Sequence, residues 1–169
     1  MKTDFLIRQA QPSDYPAIYQ LVEEAFRDHP HSDHTEHLIV QRLRHQDQLT
    51  ISLLAHTQTQ IIGYVAFSPV RVSNQPSGWY GLGPVAVAPT EQRGGIGQAL
   101  IRQGLAQLKA DQAAGCVVAG DPIYYDRFGF QHKSTFVVDG IPPAYFMGLS
   151  FEGTELPTGL VEYSPAFFG

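Results

Sequence analysis

Short apolar runs alternate with amphipathic stretches through the first three-quarters of the chain, the pattern of strands interleaved with helices. Phe5-Leu6-Ile7-Arg8 predicts a first strand. Pro12-Ser13-Asp14 then supplies turn and capping chemistry for a helix carrying Ile18, Leu21, Val22, Ala25 and Phe26 at helical spacing. After a histidine-rich link, Ser32-Asp33 with Glu36 predicts the cap of a second helix through Leu38, Ile39 and Leu43. Leu49 to Ala55 and Ile61 to Ser68 read as strands, joined into a hairpin by the polar His56-Thr57-Gln58-Thr59-Gln60. The loop Asn74-Gln75-Pro76-Ser77-Gly78 leads to a further strand from Trp79 to Val87.

Gly83-Pro84 inside that strand predicts a broken ladder, because proline has no amide hydrogen to donate and glycine marks bulges. With a parallel neighbour expected at Gly115 to Ala119, the break would splay the two strands and leave unpaired backbone groups along a cleft. Beyond Phe130 the pattern is less regular. Phe136 to Val138, Tyr145 to Phe151 and Gly159 to Tyr163 read as strands, punctuated by Pro142-Pro143 and Pro157.

The densest chemical signal is Val85-Ala86-Val87-Ala88-Pro89-Thr90-Glu91-Gln92-Arg93-Gly94-Gly95-Ile96-Gly97-Gln98-Ala99-Leu100, an apolar strand running through a glycine-rich turn into a helix. The first peptide N–H groups of a helix have no partner inside it, and the aligned peptide dipoles add positive potential there, so a phosphate is a natural ligand. Gly94, Gly95 and Gly97 keep Cβ atoms out of its way, and Arg93 adds a charged fork suited to a pyrophosphate. Leu100 stands where a dinucleotide fingerprint needs its third glycine, and no Gly-Lys-Ser/Thr follows, so both common nucleotide motifs are excluded. Gly97, Ile101, Gly104, Leu105 and Leu108 predict the face of this helix that meets the sheet.

Gln92-Arg93-Gly94-Gly95-Ile96-Gly97 resembles the Gln/Arg-x-x-Gly-x-Gly/Ala signature of the GNAT superfamily of N-acetyltransferases. A second signature of that family, Tyr-x-x-x-Gly-Phe, has its counterpart in Tyr124-Tyr125-Asp126-Arg127-Phe128-Gly129-Phe130, in the right order after a helix and a strand. The resemblance implies an α+β fold: a central mixed β-sheet, splayed between two parallel strands and flanked by helices on both faces. It implies acetyl-CoA as acyl donor, with its pyrophosphate on the loop through Gln92, Arg93, Gly94, Gly95, Ile96, Gly97 and Gln98. Its pantetheine arm would lie against the exposed strand at Val85, Ala86 and Val87, where a backbone N–H could polarise the thioester carbonyl. Tyr125 aligns with the tyrosine that such enzymes place near the sulfur as general acid, and Tyr124 is its neighbouring competitor. The asparagine that many members carry ahead of this tyrosine is missing. Val118-Ala119-Gly120-Asp121-Pro122 reads instead as a helix start, with Asp121 as N-cap and Pro122 at the first position.

A chain of 169 residues with 43% hydrophobic composition suits one ordinary domain, read as 1–169, with 131–169 contributing to the acceptor site. The single cysteine, Cys116, forms no internal disulfide and fits a reducing cytoplasm. Neither a long apolar run nor a leader-like apolar segment after Met1-Lys2-Thr3-Asp4 is present, so neither a membrane nor a secretory route is expected. A net charge of −5 gives no electrostatic reason to bind nucleic acid and mildly favours cationic amine acceptors, small molecules or proteins. A homodimer is compatible with the chain. His29, His31, His34 and His37, with Asp33 and Glu36, raise a metal reading, but the cluster lacks His-Glu-x-x-His and any nearby cysteine, so no metal is expected. No general base stands out among Glu23, Glu24, Glu36, His34 and His37.

The expected function is therefore N-acetyl transfer from acetyl-CoA to a primary amine by direct attack in a ternary complex. The competing class is a non-catalytic acyl-CoA sensor, which would have no need of an acid at the thiol. The acceptor, the acyl chain length and the base stay open.

Overall fold

A computed structural model describes residues 3–132, 136–153 and 156–168. Met1, Lys2 and Gly169, at the ends of the segments read above, lie outside the described residues. Strand β1 (Leu6–Gln9) is followed by helix α1 (Tyr15–Phe26), helix α2 (Glu36–His45) and strands β2 (Ile51–His56), β3 (Ile61–Val72) and β4 (Trp79–Val87). Helix α3 (Ile96–Ala110), strand β5 (Gly115–Ala119) and the short helix α4 (Pro122–Tyr125) come next. Strands β6 (Gln131–His132), β7 (Phe136–Val138), β8 (Phe146–Ser150) and β9 (Gly159–Glu162) complete the chain.

Among the described residues the sheet runs β1-β2-β3-β4-β5-β8-β6, with β9 paired to the far end of β3 and to β7. The β2–β3 hairpin forms as its alternation predicts, closed by Thr57 N–H to Gln60 O at 2.9 Å. Helix α3 covers one face of the sheet, and α1 with α2 covers the other, where Ile18, Val22 and Val40 meet Leu54, Tyr64 and Ala86. A third apolar cluster, of Val70, Trp79, Val117, Phe146 and Val161, lies where the C-terminal strands close over the sheet.

β4 and β5 pair in parallel only at Trp79–Gly115, Tyr80–Cys116 and Gly81–Val117, and then part. On its other edge β4 stays paired to β3 as far as Val87, with Leu82 opposite Phe67 and Val85 opposite Val65, so that Gly83 and Pro84 together face Ala66. That bulge, with a cis Gly83-Pro84 peptide, coincides with the split.

Three local expectations are corrected. Gly97 is not on the sheet-facing side of α3: the buried stripe is Ile96, Leu100, Ile101, Gly104, Leu105 and Leu108, and Gly97 faces Tyr124, Val85 and Val87. A glycine carries no hydrophobic signal, and the true stripe begins one residue earlier. Asp14 caps the 3-10 turn Pro12–Asp14 that opens α1, accepting the Gln11 N–H at 2.7 Å in a capping box, and makes no cap on α1 itself; its carboxylate also takes both Arg8 guanidinium nitrogens at 2.7 and 2.9 Å, tying the helix entrance to β1. Helix α2 starts at Glu36 behind Thr35, and Ser32 donates to the Glu36 carboxylate at 2.7 Å and accepts the His34 N–H at 2.9 Å, ahead of the helix, instead of capping its amides.

Candidate active site

The loop between β4 and α3 turns through two left-handed residues, Arg93 at φ 69° and Gly95 at φ 85°. Gly95 precedes the helix directly, and the first helical hydrogen bond runs from Ala99 N–H to Gly95 O at 3.0 Å. Among the described residues the amides from Gln92 to Gln98 find no acceptor in the chain. Those of Ile96, Gly97 and Gln98 are the orphan donors that every helix start leaves. A Cβ on Gly97 would stand 3.5 Å from the Tyr124 hydroxyl and 3.6 Å from a Val87 methyl, so glycine there sets the width of the cleft. Gln92 holds the loop to the strand through Nε2 to Val87 O at 3.2 Å.

The cleft encloses about 500 Å³. Val85 and Val87 of β4, the loop and helix start from Gln92 to Gln98, and Tyr124 with Arg127 line it, and Gly97 lies between Tyr124 and the two valines. Strand alternation decides which amides are open. Ala88 N–H bonds Ile62 O at 2.9 Å, so Ala86, two residues back, also turns its amide to β3, while Val85 and Val87 present theirs to the split. Of the three strand residues named from sequence, Ala86 stands apart, with its side chain buried toward α1. The side chains of Val85 and Val87 are partly buried against the α3-side core and also line the cleft.

Both tyrosines sit on α4, which Asp121 caps through Oδ1 to Ile123 N–H at 2.9 Å, as its Asp-Pro start predicts. Tyr124 lines the cleft, and the Arg127 guanidinium lies 4.6 Å above its ring while donating from Nε to its carbonyl at 2.8 Å. Tyr125 lies deeper, off the cleft walls and packed edge-on to Phe130 at 6.0 Å. Its ring lies against Gly120 so closely that a Cβ there would be 2.6 Å from Cε2, which is why a glycine follows β5. Burial pushes the Tyr125 phenol well above its ordinary range, and burial raises Tyr124 as well, opposed by the positive charge of Arg127 and Arg102. Both phenols therefore hold their protons at neutral pH. Cys116 is fully buried in β5 and its thiol is pushed up by burial, which leaves no thiolate to act as a nucleophile.

Sequence reasoning missed Arg127, which lines the cleft together with Arg93. Its signal was its place within the second signature, one helical turn after Tyr124. The histidine cluster joins helices: His37 Nε2 lies 3.1 Å from the Glu23 carboxylate, and His29 packs on Phe26 at 5.7 Å. Among the described residues no group of three His, Cys, Asp or Glu side chains could hold a metal ion, and no helix is long and apolar enough to cross a membrane.

A mixed sheet parted between parallel strands, with an anion-ready helix start at the cleft, a protonated phenol lining it and a second buried behind, defines the acyltransferase architecture that the glycine signature resembles. A family model described as an acetyltransferase (GNAT) domain matches residues 6–132. The chain is 36% identical over 168 residues to the uncharacterized N-acetyltransferase YhbS of Escherichia coli (strain K12), covering 96% of this chain and 98% of that protein. A GNAT family acetyltransferase from Brucella melitensis, solved in complex with acetyl-CoA, superposes with a TM-score of 0.86 at 45% identity, covering 97% of this chain and 98% of that one. YhbS from Escherichia coli, solved in complex with CoA, superposes with a TM-score of 0.88 at 33% identity, covering 100% of this chain and 97% of that one. The protein belongs to the GNAT family of acetyltransferases and is an enzyme of that class.

Proposed function

We propose that the protein transfers the acetyl group of acetyl-CoA to a primary amine by direct attack in a ternary complex. The observation that carries this reading is the run of partnerless amides from Gln92 to Gln98, in a cleft that Arg93 and Arg127 also line. A diphosphate fits that combination of helix dipole, amide nest and paired positive charge. Complexes of similar proteins with acetyl-CoA and CoA support the choice of ligand.

With the diphosphate on the loop, the pantetheine arm lies along the open edge of β4, where the Val85 and Val87 amides face the split. One of these N–H groups stabilises the oxyanion as the amine lone pair attacks the thioester carbon. The new C–N bond forms, the C–S bond breaks, and the departing thiolate takes the Tyr125 phenolic proton. The acetylated nitrogen loses its extra proton to water, and Tyr125 is reprotonated from solvent. The inert thiol of Cys116 supports transfer without an acetyl-enzyme, and a free thiol in the chain suits a cytoplasmic setting. The C-terminal part, 131–169, contributes to the acceptor site.

Titration with acetyl-CoA by calorimetry, followed by free-thiol release with a library of primary amines, tests this. Saturable binding with amine-dependent thiol release is expected. Thiol release independent of every amine would contradict the transfer and favour an acyl-CoA sensor.

A further inference from the structure

Buried hydroxyls in this protein have partners, with two exceptions among the described residues. Tyr15, Ser52 and Tyr64 form a buried chain at 2.9 and 2.7 Å, and Ser164 accepts the Ala166 N–H at 3.2 Å. Ser68 Oγ and Tyr163 OH are buried without a hydrogen-bond partner. A buried polar atom left unpaired is costly enough to be rare, and two at one place call for a ligand.

Both belong to the same spot. Ser68 on β3 is the register partner of Gly81 on β4, the last residue of β4 to pair with β5 before the split. The alternation that puts Phe67 against α3 turns Ser68 to the opposite face, with Val70. Tyr163, just beyond β9, lays its ring over Gly81 on that face. A Cβ at Gly81 would stand 2.9 Å from Tyr163 Cε2 and 3.5 Å from Cδ2, so the hydroxyl-bearing end of the ring is the nearer one. The loop cleft and Tyr125 lie toward α3, and Ser68 and Tyr163 lie on the other side of the split, the side left for a second reactant.

Among the described residues the side chains packed there are uncharged. Val70, Trp79 and Val117 surround the spot, and the nearby carboxylates of Asp139, Glu152 and Glu162 are exposed to solvent. Such a place disfavours an ammonium ion, because desolvation without a carboxylate partner penalises the charged form. At pH 7.5 about one α-amine in three is neutral, against about one lysine-type amine in a thousand, from reference pKa values near 7.8 and 10.4.

We propose that Tyr163 and Ser68 form the acceptor subsite, their hydroxyls hydrogen-bonding an incoming neutral amine of low basicity, such as the α-amine of a peptide or amino acid. The inference rests on the acetyl-transfer reading above and deepens it. Tyr163→Phe keeps the ring over Gly81 and removes only the oxygen, so the melting temperature should hold or rise. With an alanyl dipeptide as acceptor probe, Tyr163→Phe and Ser68→Ala should each lower kcat/KM for the amine about tenfold, the factor one hydrogen bond supplies. Calorimetric affinity for acetyl-CoA should stay within about twofold of the parent. The parent should also prefer the dipeptide to spermidine and Nα-acetyl-lysine. Unchanged amine kcat/KM in Tyr163→Phe, a joint loss of melting temperature and acetyl-CoA affinity, or a preference for the strongly basic amines would each overturn this inference alone. A parent that binds acetyl-CoA yet acetylates none of the three probes would overturn the transfer reading and this inference with it.

Discussion

Gly97, Tyr125 and Tyr163 show three ways in which a single residue carries function here. Gly97 acts by lacking a side chain: the strand wall and the Tyr124 hydroxyl stand at ordinary contact distance from where its Cβ would be, so anything larger than a methyl group fills the cleft. Its place in the signature was legible, but its facing was not, since the absence of a side chain gives no periodicity to read. Tyr125 acts through a proton that burial keeps on the phenol. Tyr125→Phe should keep CoA affinity within about twofold and lose about a hundredfold in kcat, the scale of a positioned general acid; unchanged turnover would pass that role to Tyr124 on the cleft wall. Tyr163 was visible in sequence only as the end of an irregular C-terminal strand. What singles it out is an unpaired oxygen, and pairing is a property of the folded chain alone.

At the scale of elements, hydrophobic spacing carried most of the information. The hairpin, the β4 strand with its break at Gly83-Pro84, and the Asp121 cap all follow from residues whose conformational preferences are strong. The helix starts were less legible because Asp14 and Ser32 have more than one acceptor or donor within reach, and tertiary partners won. Two element-scale contacts give measurable consequences. Helix α3 approaches β3 so closely at Gly104 that a methyl group would fall on the Phe67 ring. Gly104→Ala should destabilise by about 2 kcal/mol through overpacking, although alanine is the better helix former, lowering Tm by roughly 6 °C in a melting scan. An unchanged Tm would mean that the helix shifts freely on the sheet.

The latch between β1 and α1 depends on pH. The Arg8 guanidinium holds the Asp14 carboxyl down at about 2, below its ordinary 3.8, aided by the Gln11 amide. A depressed carboxylate stabilises the fold above the unfolded pKa and loses that contribution as pH falls through the folded one, so the window runs from about pH 4 down to about pH 2. Because Arg8 is 41% exposed, screening holds the contribution to about 1 kcal/mol. Asp14→Asn should lose that amount at neutral pH and show a flatter acid limb in that window. Parallel acid limbs in the two proteins would contradict the assignment.

For the whole molecule, overall charge and local chemistry point in different directions. A net charge of −5 draws cations toward the surface, yet the loop cleft carries Arg93 and Arg127, and the proposed acceptor face is lined by apolar side chains such as Val70, Trp79 and Val117. Composition therefore bounded the class of protein and could not describe its sites, whose charge is set by a handful of side chains brought together from distant positions. The fold was legible because a parted parallel pair, a glycine turn and a tyrosine helix each leave a local mark in the chain. The C-terminal strands β7, β8 and β9 also fall where the chain predicts them, but their pairing, β9 to β3 and β7, was not legible because it joins positions far apart in sequence.

The central claim is that main-chain amides at the start of α3 grip the diphosphate of CoA. Amide resonances followed by NMR during a CoA titration test it most directly. The account predicts saturable, downfield movement of the Gly94, Gly95, Ile96, Gly97 and Gln98 N–H signals, as amides without an acceptor gain a charged one. Saturable binding of CoA that leaves those five signals in place would contradict it.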